Sequence, residues 1–272
     1  MRPLVRRTVW FFGLLLFSYL AVALLLWNQQ ERLIYPAPQS IGPTAGGFEE
    51  VTYRTSDGLD ITAGYRAASP GMPTIAYFHG NGADWVSSVM ATDRLVPAGY
   101  GVLAAEYRGY RGNPGRPSEE GLYADGRAAL GFLASKGVAA EEMVLIGNSI
   151  GSGVATQLAS EHAPRALILI SPFASLRQLV GEKLRFLPTD LLLRSRYEND
   201  RKLGQVDAPV LILHGTADTL IPATHARSLA EVRDDAELVI FSGKGHDLAW
   251  YDEAQEAVLT FLEKLHEESE TP

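Results

Sequence analysis

Gly147-Asn148-Ser149-Ile150-Gly151 carries the most chemical content of any stretch in the chain. It fits G-x-S-x-G, and its flanks give the match meaning. Met143-Val144-Leu145-Ile146 precedes it, a short apolar run that reads as a buried strand. Val154, Ala155, Leu158 and Ala159 follow it at helical spacing. A strand, a sharp turn and a helix lift a serine hydroxyl clear of a sheet, at the positive end of the helix. Side chains in place of the flanking glycines would crowd so tight a turn. The expected chemistry is nucleophilic attack by Ser149. The competing reading is a serine that only caps the helix.

A nucleophilic serine needs a base, and the base needs an orienting acid. In a parallel sheet such groups collect at the carboxyl ends of strands, so the partners are sought just after later strands. Asp218 follows the apolar run Val210–Leu213, in His214-Gly215-Thr216-Ala217-Asp218. His246 follows Leu238–Phe241, in Ser242-Gly243-Lys244-Gly245-His246. Donors for a developing oxyanion are expected from two backbone amides. One is Asn81, in the loop Phe78-His79-Gly80-Asn81-Gly82, and the other is Ile150, directly after the serine. Asp207 and the pair Asp234-Asp235 precede their strands and so face the other edge of the sheet. His79 and His214, at strand ends beside glycine, read as loop-ordering residues. His162, His225 and His266 fall on or beside helix surfaces and read as solvated. No H-E-x-x-H occurs, the glycines at 147, 151 and 153 do not make G-x-G-x-x-G, and there is no P-loop. No metal and no cofactor is expected.

These residues need a scaffold, and the chain supplies one. Glu49–Thr55 and Leu59–Arg66 flank Ser56-Asp57-Gly58 as a hairpin. Thr74–Phe78, Gly101–Ala105, Met143–Ile146, Ala166–Ile170, Val210–Leu213 and Leu238–Phe241 are further short apolar runs. Helical patterns separate most of them: Glu119–Ser135, Ile150–Ser160, Ala223–Val232 and Asp252–Leu265. The expected class is α/β, a mostly parallel sheet covered on both faces. Pro36–Gly47 reads as a connector. Ser171–Asp207 is too long and too rich in Leu and Phe for a simple crossover, and reads as a small helical lid insertion.

Val9–Trp27 stands apart, with seven leucines and three phenylalanines. As a helix its length of ~28 Å matches one hydrocarbon core. Trp10 and Trp27 sit near its ends, where amphipathic rings favour a membrane interface. Arg2, Arg6 and Arg7 precede it, which predicts a cytoplasmic N-terminus and a catalytic domain on the far side, periplasmic in a bacterium. A cleaved signal peptide is the rival reading. The run is long for one, and Asn28-Gln29-Gln30-Glu31 is no cleavage site. The expected organisation is an anchor over residues 1–30 and a catalytic domain over 31–272, with the lid at 171–207. Removing the three arginines of the first 27 residues leaves 21 basic against 32 acidic residues. So acidic a domain is a poor nucleic-acid binder. The chain holds no cysteine, which excludes disulfides, a thiol nucleophile and thiolate zinc sites.

From about Glu31 to His266 the sequence resembles the α/β-hydrolase superfamily, and within it the N-anchored, bud-emergence-like group. Seven ordered motifs carry the resemblance: Leu33-Ile34-Tyr35-Pro36, His79-Gly80-Asn81-Gly82, Tyr107-Arg108-Gly109-Tyr110, Gly147–Gly151, Ser171-Pro172-Phe173, Leu213–Asp218 and Gly245-His246. The order Ser149, Asp218, His246 is that of the superfamily's triad. Two positions depart from the group's common pattern near the pocket: Glu106 stands where aspartate is frequent, and Arg111 where glycine is usual. The resemblance implies a membrane-anchored serine hydrolase acting on carboxylic esters or thioesters, including acyl chains borne by lipids or proteins. Some members of the group remove palmitate from proteins at the cytosolic face, the opposite side from that predicted here. A serine peptidase or aminoacyl hydrolase is the first alternative, and a catalytically silent scaffold is the second.

Overall fold

The six apolar runs and the two strands of the hairpin pair into a single sheet in the computed structural model, which describes residues 3–38 and 45–270. The strands are β1 (Glu49–Arg54), β2 (Asp60–Arg66), β3 (Thr74–Phe78), β4 (Gly101–Ala105), β5 (Met143–Asn148), β6 (Ala166–Ile170), β7 (Val210–Gly215) and β8 (Glu237–Phe241). Their order is β1-β2-β4-β3-β5-β6-β7-β8. The β1–β2 hairpin and the β2–β4 pair are antiparallel, and every pair from β4 to β8 is parallel. Every residue of β3, β4, β6 and β7 is buried, as expected of parallel strands covered on both faces.

The helices are α1 (Pro3–Ile34), α2 (Trp85–Met90), α3 (Glu119–Ser135), α4 (Ile150–Glu161), α5 (Leu176–Lys183), α6 (Thr189–Leu192), α7 (Asn199–Lys202), α8 (Thr224–Val232) and α9 (Asp252–Glu270). On one face of the sheet Phe78 and Leu145 meet Leu130 of α3, Val154 and Leu158 of α4 and Leu229 of α8. On the other, Tyr77 and Ile146 meet Trp85 of α2 and Val258 and Leu262 of α9. α2 is the element that apolar spacing did not predict. It is short, and a local bond starts it: the Asp84 side chain accepts from the Ser87 N–H at 2.8 Å, and the Ser87 hydroxyl accepts in return from the Asp84 N–H.

Two further expectations change. α1 runs past both ends of Val9–Trp27, because nothing in Asn28–Arg32 breaks a helix and the first proline after it is Pro36. It therefore crosses the boundary expected at residue 30. Part of the connector over 36–47 lies outside the described residues. α1 is long and apolar enough to cross a membrane, and its apolar side chains are exposed, Trp10 at 72% and Phe17 at 70%. His225, expected in solvent, is instead fully buried: α8 turns it inward, and its Nδ1 accepts from the Ala174 N–H at 3.2 Å.

Arg108 ties the antiparallel end of the sheet to α3. Its guanidinium donates to Asp57 in the hairpin turn at 2.7 and 3.0 Å and to the fully buried Asp125 at 2.8 and 3.0 Å. Burial pushes the Asp125 carboxyl up even though Arg108 pulls it down. Asp57 is half exposed, so its share is small. The Asp125 pair is another matter, because removing one partner strands a buried charge. Arg108→Leu should cost roughly 3–5 kcal/mol, a Tm loss on the order of 10 °C for a domain of this size. Thermal unfolding of the full-length protein in one detergent measures it, and a shift no larger than that of Arg54→Leu would remove Arg108 from this role.

Candidate active site

The strand order sets which loops can meet. β5 lies between β3 and β6, so the loop after β3 adjoins the turn after β5. β7 and β8 lie farther along the same carboxyl edge. Ser149, Asp218 and His246 follow β5, β7 and β8, and the structure brings the three side chains together. The Ser149 hydroxyl donates to Nε2 of His246 at 2.9 Å. Nδ1 of His246 lies 2.7 Å from Oδ2 of Asp218. A carboxylate can only accept, so Nδ1 carries the proton and Nε2 is left as the acceptor.

Ser149 stands at the N-cap of α4 yet makes no capping bond with its side chain. Its backbone is at φ 54, ψ −118, a conformation that costs a non-glycine residue ~1–3 kcal/mol. Close packing enforces it. A Cβ on Gly147 would collide with the Gly151 carbonyl oxygen, and one on Gly151 with that of Phe78. The Ser149 N–H is held by the Ile170 carbonyl of β6 at 2.9 Å.

Asp218 is fixed on three sides. Oδ1 accepts from the N–H groups of Leu220 at 2.9 Å and Ile221 at 2.8 Å. Behind it the buried His214 ring lies 3.4 Å from Oδ2 and bonds the Ile221 carbonyl at 2.9 Å. Burial alone would raise the Asp218 carboxyl. Bonds from His214, His246 and the Ile221 N–H outweigh it and hold the group well below the usual carboxylate range. It is therefore charged at neutral pH.

The loop after β3 lies against Ser149. A Cβ on Gly80 would sit 3.2 Å from Cβ of Ser149. Among the described residues, neither the Asn81 nor the Ile150 N–H makes a backbone hydrogen bond, and Ile150, first in α4, has no partner a turn earlier. Behind this loop is a buried ion pair. His79 Nε2 lies 2.6 Å from Glu106 Oε1, and Nδ1 lies 2.8 Å from the Gly80 carbonyl. Burial alone would lower the imidazole, but Glu106 and that carbonyl raise it. Both nitrogens face acceptors, which fits a charged ring. Glu106 also accepts from the N–H groups of Trp85 at 2.9 Å and Tyr107 at 3.0 Å. Glu106 thus holds loop and helix together. Arg111 has φ 46 where glycine would be unstrained. Its guanidinium pairs with Asp84 at 2.8 Å and sits over the Trp85 ring.

Ser149 opens into an apolar pocket of about 340 Å³, lined among others by Phe173, Leu176, Leu179, Leu184, Leu33 and Ile34. The last two belong to α1. Motif reading singled them out within Leu33-Ile34-Tyr35-Pro36 without placing them at the pocket, and it missed Gln30, whose side-chain amide donates to the Leu192 carbonyl at 3.2 Å and accepts from the Arg194 N–H at 2.8 Å. The spacing held one signal: Ala23, Gln30 and Ile34 fall on one helical face, and Gln30 is the polar residue on it.

Comparison with known proteins agrees with this architecture. A family model described as serine aminopeptidase S33 matches residues 72–199, and one described as TAP-like protein matches 191–271. An uncharacterized protein of Mycobacterium tuberculosis is 35% identical over 235 residues, 83% of each chain. An esterase of Pyrococcus furiosus superposes with a TM-score of 0.68 at 18% identity, covering 85% of this chain and 98% of its own. A structure described as a membrane phospholipase A, a bacterial virulence factor, covers 97% of both chains with a TM-score of 0.61 at 18% identity. The family models, the shared fold and the 35%-identical relative together establish that the chain belongs to the α/β-hydrolase superfamily.

Proposed function

We propose that the protein is a membrane-anchored serine hydrolase of carboxylic esters or thioesters. The hydrogen-bonded chain Ser149–His246–Asp218 beside an apolar pocket carries this reading. Ser149 Oγ attacks the acyl carbonyl as Nε2 of His246 takes its proton, and the carbonyl oxygen becomes an oxyanion facing the amides of Asn81 and Ile150. Asp218 holds the imidazole and stabilises its charged form. The proton then passes to the leaving alcohol or thiol, leaving an acyl-enzyme. Water, deprotonated by His246, releases the acid and restores Ser149.

In this reading α1 is the anchor, residues 31–272 form the hydrolase domain, and 171–207 is the lid beside Ser149. Arg2, Arg6 and Arg7 hold the N-terminus in the cytoplasm and place the catalytic domain on the other side. Membership of the N-anchored, bud-emergence-like group belongs to the same proposal, supported by α1 leading into Leu33-Ile34-Tyr35-Pro36. A peptidase is the alternative suggested by the description of the matching family model. The pocket argues against it: mostly apolar walls offer few partners for a peptide's N–H and C=O, and burying those unpaired is costly.

A fluorophosphonate probe should label the wild type, and Ser149→Ala should abolish labelling. Turnover should fall ~10⁴- to 10⁶-fold in Ser149→Ala and His246→Ala, and steeply in Asp218→Asn, without unfolding. Equal labelling of wild type and Ser149→Ala would leave the scaffold reading standing, and an active Asp218→Asn would remove Asp218 from the triad. Across p-nitrophenyl esters, each added methylene held in the pocket stabilises binding by ~0.8 kcal/mol, so kcat/KM should climb up to several-fold per CH₂ from acetate to medium chains. Aminoacyl amides should be poor substrates, and faster turnover of these than of any ester would promote the peptidase. The full-length protein should resist carbonate extraction and keep its N-terminal residues. A mature N-terminus beyond residue 20 would show a cleaved leader instead.

A further inference from the structure

The pocket at Ser149 does not end at the lid. Leu33, Ile34, Val180 and Leu184 line it, and the same four residues line a second apolar groove of about 210 Å³. That groove runs between α1 and the insert, reaching Ala23 and Leu26 on one wall and Leu187 and Leu192 on the other. Between Ala23 and Ile34 the helix rises ~17 Å, the length of a long acyl chain.

The insert stands alongside the apolar part of α1, beyond its polar end. The Tyr19 hydroxyl donates to the Phe186 carbonyl at 3.1 Å, and Tyr19 lies well inside the Val9–Trp27 run. Phe186 and Leu191 at the insert's outer edge are 58% and 80% exposed. A helix that crosses a bilayer therefore carries the insert's apolar tip down with it, and the groove opens in hydrocarbon.

The inner end of the groove is fixed to the reacting centre. The Asn81 side-chain amide donates to the carbonyl of Ile34, the last residue of α1, and the Tyr110 hydroxyl donates to Asn81 Oδ1 at 2.9 Å. The residue expected to supply an oxyanion donor is thus bonded through its side chain to the end of the anchor.

Resting on the serine-hydrolase reading above, we infer that α1 is one wall of the substrate site, and that the substrate is an ester whose long acyl chain already lies in the bilayer. The chain enters sideways along the α1–insert groove, with its carbonyl reaching Ser149 at the inner end and its tail lying beside Ala23 and Leu192. Its headgroup is left outside the groove.

The test uses full-length protein in one detergent and p-nitrophenyl esters from butyrate to palmitate. Ala23→Trp and Leu192→Trp fill the outer groove from opposite walls. Leu24→Trp, on the exposed side of the same helix, is the control. The ratio of palmitate to butyrate kcat/KM should fall roughly tenfold or more in the two filling variants, which exclude several methylenes, and stay at the wild-type value in Leu24→Trp. Taking a ratio separates loss of the tail site from loss of folded enzyme. An unchanged ratio in both filling variants, or an equal fall in Leu24→Trp, overturns the inference while leaving the hydrolase reading intact. Ester turnover that survives in Ser149→Ala overturns both.

Discussion

The turn between β5 and α4 is the constraint on which the site depends. It packs so closely on the start of α4 and on the end of β3 that neither Gly147 nor Gly151 has room for a Cβ, and it forces Ser149 to φ 54. A strained residue persists only where its surroundings over-determine it. Here the strand behind it, the helix after it and the Ile170 carbonyl beside it do so. The consequence is positional. A relaxed Ser149 would act as an N-cap, turning its oxygen back to the α4 amides; the strained one points at His246 and leaves the first amides of α4 without a side-chain acceptor. The same geometry therefore leaves a hydroxyl free of capping duty and a helix end whose first amides can face an anion.

The neighbouring loop is held by charge. Its glycines allow close approach to Ser149 but give little rigidity, and His79–Glu106 supplies that from below. A buried ion pair carries a desolvation penalty that only good geometry offsets, and this one is short and has further donors. Glu106 accepts from His79, Trp85 and Tyr107, one of its oxygens serving two of them. Tyr107 in turn donates through its hydroxyl to the His79 carbonyl at 3.1 Å. The loop is thereby bonded to α2 and to the end of β4, both of which rest on the far core. Arg111 and Asp84 close the same corner. Glu106 and Arg111 thus form one local solution: a long acid reaches the imidazole and two amides, and an arginine accepts backbone strain to pair with the residue that caps α2.

The sequence made the central strands legible because each is an apolar run bounded by turn residues, the pattern of strands buried on both faces. The placement of Ser149, Asp218 and His246 was legible for a related reason: each follows a strand, and a parallel sheet brings such positions to one edge. What stayed hidden depends on partners far away in the chain. The apolar character of α1 says that it avoids water but not that its last turn lines a pocket with residues 150 positions later. His225 sits on a helix whose spacing allowed either face, and only the docking of Ala174 against it decides the matter. α2 escaped because its start depends on a hydrogen bond between Asp84 and Ser87, not on periodicity. The insert's content was legible as apolar excess, but its orientation along α1 was not, since side-chain spacing defines a face and says nothing of what covers it.

That orientation changes what holds the seam together. In water, burying Leu26, Ile34 and Leu184 against each other would favour closure by ~1.5–3 kcal/mol for each side chain fully covered. In the proposed bilayer setting the solvent is as apolar as the side chains, and this drive vanishes. What remains is directional bonding: Gln30 to Leu192 and Arg194, Tyr19 to Phe186, and Tyr35 to Ser195 at 2.9 Å and Tyr197 at 3.0 Å. These bonds fix the distance between helix and insert at a few points and leave the apolar space between them without a force to close it. A groove built this way does not collapse when empty of substrate, because lipid chains can occupy it at no hydrophobic cost. A substrate chain then exchanges with a lipid chain of like polarity, so the gain per methylene is smaller than for a chain taken from water. Chain length is read by the room the groove offers, and the inner end adds the requirement that the carbonyl reach the proposed nucleophile Ser149 beneath Asn81.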